Sequence, residues 1–186
     1  MVRYNLRAVT RYVAFLRAVN VGGRIVKMEG LRRLFSSLGF RDVRTYIQSG
    51  NVLFDASQKD SAAISRKIEE RLQKSIGYEI RVFLRTITQL QEMLNRNPFK
   101  KWKASAELKL YVTFLAEELK EKPHLPLSSA NHDLEVISIE GCDVYSVSRP
   151  YKGRFGFPNH FIEAAFKVQA TTRNWETVKK MMKTAI

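Results

Sequence analysis

The sequence predicts an α+β fold of two ferredoxin-like units of the βαββ type, with antiparallel sheets and a C-terminal helix. Apolar residues in the first half of the chain follow the order strand, helix, strand, strand, helix, strand, which is the ferredoxin-like order. The string Tyr12-Val-Ala-Phe-Leu16 returns in the second half as Tyr111-Val-Thr-Phe-Leu115. The 186 residues are 45% hydrophobic and 11% aromatic, which is typical of a globular chain with a buried core.

The first unit is predicted at residues 11–85, after an N-terminal extension at 1–10. Residues 11–19 form a strand that ends at Asn20-Val-Gly-Gly23, and the amphipathic helix that follows ends at Gly39. Residues 44–54 read as a hairpin with Ser49-Gly-Asn51 in its turn. A second amphipathic helix ends at Gly77, and residues 80–84 supply the last strand.

The second unit is predicted at residues 86–186. Thr86 and Gln89 have the spacing of a capping box, so a helix begins there and ends before Pro98. A strand at 108–115 is followed by one or two helical turns at 117–122 and by a hairpin at 134–147. Two helices at 159–167 and 172–185 complete the unit, with Thr172 as the cap of the last one.

Three strings occur together in this chain: Phe15-Leu-Arg-Ala-Val-Asn-Val-Gly-Gly23, Thr45-Tyr-Ile-Gln-Ser-Gly-Asn-Val52 and Ala170-Thr-Thr-Arg-Asn-Trp175. In that order, the chain resembles the bacterial family known as domain of unknown function 1697. The resemblance covers almost the whole length. It implies an α+β fold built from ferredoxin-like parts and a cytoplasmic protein, and it implies no particular activity.

The chain is strongly basic, with 32 Lys and Arg against 18 Asp and Glu and a net charge of +14. Such a surplus attracts polyanions, so nucleic acid, an anionic membrane surface and phosphorylated ligands are candidate partners. The alternative is that these cations only keep the surface soluble. The single cysteine, the lack of a signal-peptide pattern and the lack of a membrane span predict a cytoplasmic protein.

One loop, residues 149–161, alternates cations with aromatic rings. Arg149, Lys152 and Arg154 are candidate phosphate contacts, and Tyr151 is a candidate stacking platform for a base. This composition is typical of proteins that bind single-stranded nucleic acid. The connector Lys100-Lys-Trp-Lys103 has the same character. The alternative is that at least two of the phenylalanines in the loop pack beneath it as core.

A second candidate is an anion site with two parts. Asn20, Gly22 and Gly23 lie where a strand passes to a helix, with Arg17 beside them, and backbone N–H groups at such a place can face an anion. Arg173 and Asn174 are predicted to be exposed in the first turn of the last helix. A cation is unfavourable there, which indicates a bound carboxylate or phosphate. The predicted topology places the end of the first strand and the first hairpin turn at opposite ends of the sheet.

Catalytic patterns are poor, since the three histidines are scattered, Cys142 lies in a strand pattern and no carboxylates are paired. We therefore expect no metal and no organic cofactor. The leading hypothesis is a non-enzymatic binding protein for a polyanion, specifically nucleic acid. The alternative is an enzyme acting on a small phosphorylated or carboxylated ligand held between the units by Arg17, Asn20 and Arg173. A third hypothesis is a protein-interaction module whose charge is incidental.

Overall fold

The computed structural model describes residues 9–19, 26–47 and 50–185, and the chain divides into two compact units, Met1–Gln89 and Leu90–Ile186. In the described ranges the chain forms five α-helices and antiparallel sheets, with a helix at the C-terminal end. The predicted α+β class is therefore confirmed. None of the helices in these ranges has the length and apolar character needed to cross a membrane.

The first unit contains four strands and two helices. In chain order they are β1 (Thr10–Leu16), α1 (Met28–Ser37), β2 (Arg41–Tyr46), β3 (Asn51–Ala56), α2 (Ser61–Ile76) and β4 (Val82–Thr86). The sheet has the order β2-β3-β1-β4, and every neighbouring pair is antiparallel. Both helices contribute their apolar stripes to one core cluster with alternate side chains of β1.

Aromatic rings form the centre of this core. Phe54 of β3 is fully buried, and its ring centroid lies 4.5 Å from that of Phe40, 5.4 Å from that of Phe35 and 5.7 Å from that of Tyr12. These separations lie in the range in which aromatic pairs attract each other beyond simple burial. One side chain therefore links β1, α1 and the segment between α1 and β2.

The second unit begins within α3 (Ile87–Arg96) and contains the remaining strands and helices. They are β5 (Lys109–Leu115), β6 (Leu127–Ser128), β7 (Leu134–Glu140), β8 (Asp143–Ser148), β9 (Pro150–Tyr151), β10 (Arg154–Phe155), α4 (Pro158–Phe166), β11 (Ala170–Asn174) and α5 (Trp175–Ala185). Five strands form an antiparallel sheet in the order β11-β5-β8-β7-β6, and β9 pairs with β10 alone.

Two local predictions are wrong in this unit. The last helix begins at Trp175 and not at residue 172, because the preceding residues form β11 and pair with β5. Its first turn is capped by Asn174, whose Oδ1 accepts a hydrogen bond from the N–H of Glu176 at 2.9 Å. Residues 117–122 form bends and irregular backbone instead of a helix, since so short a polar segment does not offset the cost of helix nucleation.

The first strand of each unit makes the same contacts where it ends. In the first unit, the N–H of Leu16 donates to Gly50 O at 2.8 Å, and the next N–H donates to the residue before β4 at 2.9 Å. In the second unit, the N–H of Leu115 donates to Cys142 O at 2.8 Å, and the next N–H donates to the residue before β11 at 2.9 Å. The repeated strings seen in the sequence are these two strands.

Candidate functional site

Several cations and rings of the second unit are connected by cation–π and ring contacts, and we call this set the basic-aromatic surface. It consists of Trp102, Lys109, Arg149, Tyr151, Lys152, Arg154, Phe155 and Phe157. Its centre is the short hairpin of β9 and β10. Lys152 and Gly153 connect these strands with φ angles of 49° and 74°, the left-handed pair that a tight two-residue hairpin turn requires.

The hairpin places cations on either side of a tyrosine. Tyr151 pairs with Arg154 across the two strands, and Lys152 Nζ lies 5.4 Å from the centroid of the Tyr151 ring. The tyrosine is 42% exposed. All three side chains are exposed around one tight turn.

The connector around Trp102 lies against the base of this hairpin. The guanidinium carbon of Arg149 is 5.5 Å from the centroid of the Trp102 indole, and Arg149 Nη1 is 3.4 Å from Glu135 Oε2. The backbone N–H of Arg149 donates to Asp133 O at 2.8 Å. Two basic segments that are far apart in the sequence thus meet through a cation–π contact.

The start of β5 holds the loop that follows the hairpin. Lys109 and Tyr111 are two residues apart on this strand and so point to the same face. Lys109 Nζ lies 4.1 Å from the centroid of the Phe155 ring, and the Tyr111 ring meets the Phe157 ring edge-on at 5.7 Å. Burial raises the pKa of the Tyr111 phenol, so this ring stays neutral.

The three phenylalanines of the loop have different surroundings. Phe155 is half-buried under Lys109, and Phe161 is half-buried against the core between α4 and the five-stranded sheet. Phe157 is 55% exposed. The structure thus buries two of the rings in part and leaves the third on the surface.

Gly156 allows the loop to pass close to the start of β7. Its carbonyl accepts a hydrogen bond from Ser148 Oγ at 3.0 Å, and a Cβ at this position would lie 2.5 Å from Asp133 Oδ2 and 3.0 Å from Leu134 Cγ. We expect Gly156→Ala to lower the free energy of unfolding by about 1–3 kcal/mol, because the Asp133 carboxylate and the buried Leu134 side chain must shift to make room. Urea unfolding checks this value.

Gly30 supplies the control for that measurement. It lies inside α1, and a Cβ there would meet no atom within 4 Å. Gly30→Ala is therefore expected to stabilise the protein by about 0.5–1 kcal/mol, the usual gain from alanine in a helix interior. If Gly156→Ala behaved like Gly30→Ala, the close passage of the loop would not constrain it.

The predicted anion site in the first unit is described only in part. Asn20, Gly22 and Gly23 lie outside the described residues. Arg17 directly follows β1, and its N–H donates to Arg81 O at 2.9 Å.

The prediction that the end of the first strand and the first hairpin turn lie at opposite ends of the sheet is wrong. Phe15 pairs with Asn51, and the N–H of Leu16 donates to Gly50 O. The reason is that β1 runs antiparallel to β3, so the end of one strand lies beside the start of the other. Two strings of the family resemblance therefore meet at one end of the first sheet.

Arg173 is not the exposed helix-start cation that the sequence predicts. It lies in β11 and is 8% exposed, and its Nη1 donates to Thr171 Oγ1 at 2.8 Å and to Thr172 O at 2.9 Å. Burial lowers the pKa of Arg173 to about 10. Asn174 caps α5 through its side-chain oxygen. The small-ligand hypothesis relied on Arg173 as a surface cation, and this residue is buried.

Lys109 and Tyr111 also contact the rings of the basic-aromatic surface, and the sequence does not predict this. Their two-residue spacing on a predicted strand indicates only that they share one face. The three histidines give no catalytic constellation, and no group of three His, Cys, Asp or Glu side chains within the described ranges could hold a metal ion. Cys142, the single cysteine of the chain, is half-buried.

The fold has a counterpart among solved structures. The structure of conserved bacterial protein SP0830 from Streptococcus pneumoniae aligns with a TM-score of 0.69 and 21% sequence identity, over 96% of this chain and 100% of that one. At this identity the likeness shows the fold alone. No curated protein matches the chain.

The family comparison agrees with the resemblance seen in the sequence. The model described as "Protein of unknown function (DUF1697)" matches residues 9–145, which is more than half of the chain. The match includes the two strings that meet at one end of the first sheet. It extends as far as the start of β8. The chain therefore belongs to the DUF1697 family of proteins of unknown function.

Proposed function

We propose that this protein is a non-enzymatic binding protein for nucleic acid, and that the basic-aromatic surface is its binding site. The observation that carries the proposal is the meeting of cations and rings from three separate segments on one surface of the second unit. Sites that bind single-stranded nucleic acid usually combine cations along the phosphate backbone with aromatic rings that stack on the bases.

The charges on this surface favour a polyanion. Within the described part of the chain, neither Lys152 nor Arg154 forms an ion pair, whereas Arg149 lies near Glu135. Both side chains are exposed at the hairpin tip, where a phosphate can approach without displacing a carboxylate. The net charge of +14 adds a long-range attraction for the same ligand.

Salt dependence tests this proposal. We expect fluorescence anisotropy to report binding of a labelled single strand that weakens steeply as salt rises, because each phosphate contact releases a counterion. The variant Lys152→Ala, Arg154→Ala is expected to reduce the slope of log K against log salt by about 1.4, or about 0.7 per lost contact on a single strand.

A second double variant controls for the loss of net positive charge. Lys59→Ala, Lys74→Ala removes two exposed cations from the first unit and leaves the same net charge as the test variant. We expect the salt slope of this control to stay close to that of the unchanged protein. If both double variants changed the slope equally, binding would depend on net charge alone and the site would be assigned wrongly.

We further propose that both units are ferredoxin-like domains, at residues 11–85 and 86–186, in a cytoplasmic protein. The strand order β2-β3-β1-β4 of the first unit and the order β7-β8-β5-β11 of the second support this. In the second unit, the segment between β5 and β7 stands in place of the first helix, and α4 stands in place of the second. The matching hydrogen bonds at the ends of β1 and β5 support an internal repeat.

A further inference from the structure

The basic-aromatic surface presents two exposed rings. Among the described residues, Tyr151 and Phe157 are the aromatic side chains with more than a third of their surface exposed, at 42% and 55%. Large apolar rings are usually buried, and these two are exposed within one stretch of seven residues that also carries Lys152 and Arg154. In the sequence, Tyr151 directly precedes the Lys152–Phe155 segment, and Phe157 follows it after Gly156.

Phe157 is held in place although it is exposed. Its ring rests edge-on against Tyr111, which is buried, and its backbone is extended with φ −105° and ψ 119°. The next residue is Pro158, whose ring restricts the conformation of the residue before it. On the other side, the Gly156 carbonyl accepts a hydrogen bond from Ser148 Oγ at 3.0 Å. A ring held in this way loses little freedom when a ligand stacks on it.

Tyr151 is held by the hairpin. Its backbone pairs with Arg154, and Lys152 lies beside its ring. The tyrosine therefore presents a ring next to two cations, in the arrangement that places a base on the ring and the adjoining phosphates on the cations.

From these rings we infer that the surface selects single-stranded over double-stranded nucleic acid, and that Phe157 is a second stacking residue beside Tyr151. The inference rests on the proposed nucleic-acid binding. In a duplex both faces of each base are covered by its neighbours, so a protein ring can stack only where bases are unpaired. The cations contact phosphates of either form and supply the part of binding that the two forms share.

The test compares one sequence as a single strand and as a duplex of equal length, by fluorescence anisotropy at fixed salt. We expect the unchanged protein to prefer the single strand. Tyr151→Leu and Phe157→Leu are each expected to weaken single-strand binding about fivefold or more, the effect of losing one stacked base, with less than a twofold change for the duplex. Their salt slopes are expected to match that of the unchanged protein.

Rescue variants separate stacking from mere packing. Tyr151→Phe and Phe157→Tyr keep a ring at each position and are expected to retain the single-strand preference. If Phe157→Tyr lost the preference as fully as Phe157→Leu, the ring would not be the recognised group and the inference would fail.

The outcomes distinguish the inferred preference for single strands from the proposed nucleic-acid binding itself. Salt-dependent binding with equal affinity for single strand and duplex would overturn the inference and leave the proposed function standing. Leucine variants that weakened binding of both forms equally would overturn it in the same way. Absence of binding to either form by the unchanged protein would overturn both.

Discussion

Phe54→Ala is expected to lower the free energy of unfolding by about 3–5 kcal/mol, the usual cost of removing a fully buried phenylalanine ring. Phe54 contacts the rings of Tyr12, Phe35 and Phe40 at centroid distances of 5.7, 5.4 and 4.5 Å. Its removal leaves a cavity bordered by three rings that cannot all move to fill it. The cost includes the lost burial of Phe54 itself and the lost contacts of its neighbours.

Urea unfolding followed by far-ultraviolet circular dichroism measures this effect. Both tryptophans of the chain, Trp102 and Trp175, lie in the second unit, so tryptophan fluorescence would report mainly on that unit. Phe157→Ala is the matched control, because it removes the same ring from an exposed position. We expect the control to lower the free energy of unfolding by about 0.5–1.5 kcal/mol, because it loses the edge-on contact with Tyr111 and little buried area. Equal losses in the two variants would contradict the described core.

Arg173→Ala is expected to lower the free energy of unfolding by about 2–4 kcal/mol, through lost packing and lost hydrogen bonds. The side chain is buried in β11, and its residue pairs with Val112 of β5. Truncation leaves Thr171 Oγ1 and Thr172 O without the guanidinium donor that they now share. The aliphatic part of the arginine also fills space in the sheet.

Tryptophan fluorescence during urea unfolding suits this variant, since Arg173 is close in sequence to Trp175, which begins α5. Arg154→Ala removes an exposed arginine from the same unit and is expected to cost about 0.5 kcal/mol or less. The opposite pattern would favour the surface role that the sequence indicates: Arg173→Ala would then leave stability unchanged and weaken anion binding.

Most helices and strands could be predicted because their signals are local. The β-branched and aromatic run of β1 and the apolar stripe of α2 each identify an element without reference to the rest of the chain. Residues 170–174 could not be assigned in this way. Thr172 is favourable both as a helix cap and in a strand, and the choice is decided by pairing with Thr113 of β5, which is distant in sequence.

The candidate site was predictable to the same extent. The composition of residues 149–154 identifies the cations and the tyrosine without any fold. Lys109 and Tyr111 join them only because β5 lies beside β8 in the sheet. The same limit explains the misplaced hairpin turn of the first unit, since the end at which a turn lies depends on the direction in which two strands pair.

The hydrogen bonds at the ends of β1 and β5 imply unequal tolerance to mutation in the two halves of the chain. In the first unit the acceptor of this hydrogen bond is Gly50, with φ 71°. A Cβ at this position would lie 3.1 Å from the Cβ atoms of both Leu16 and Val19. In the second unit the acceptor of the corresponding hydrogen bond is Cys142, which carries a side chain. A side chain at residue 50 would therefore crowd Leu16 and Val19, whereas residue 142 already carries one.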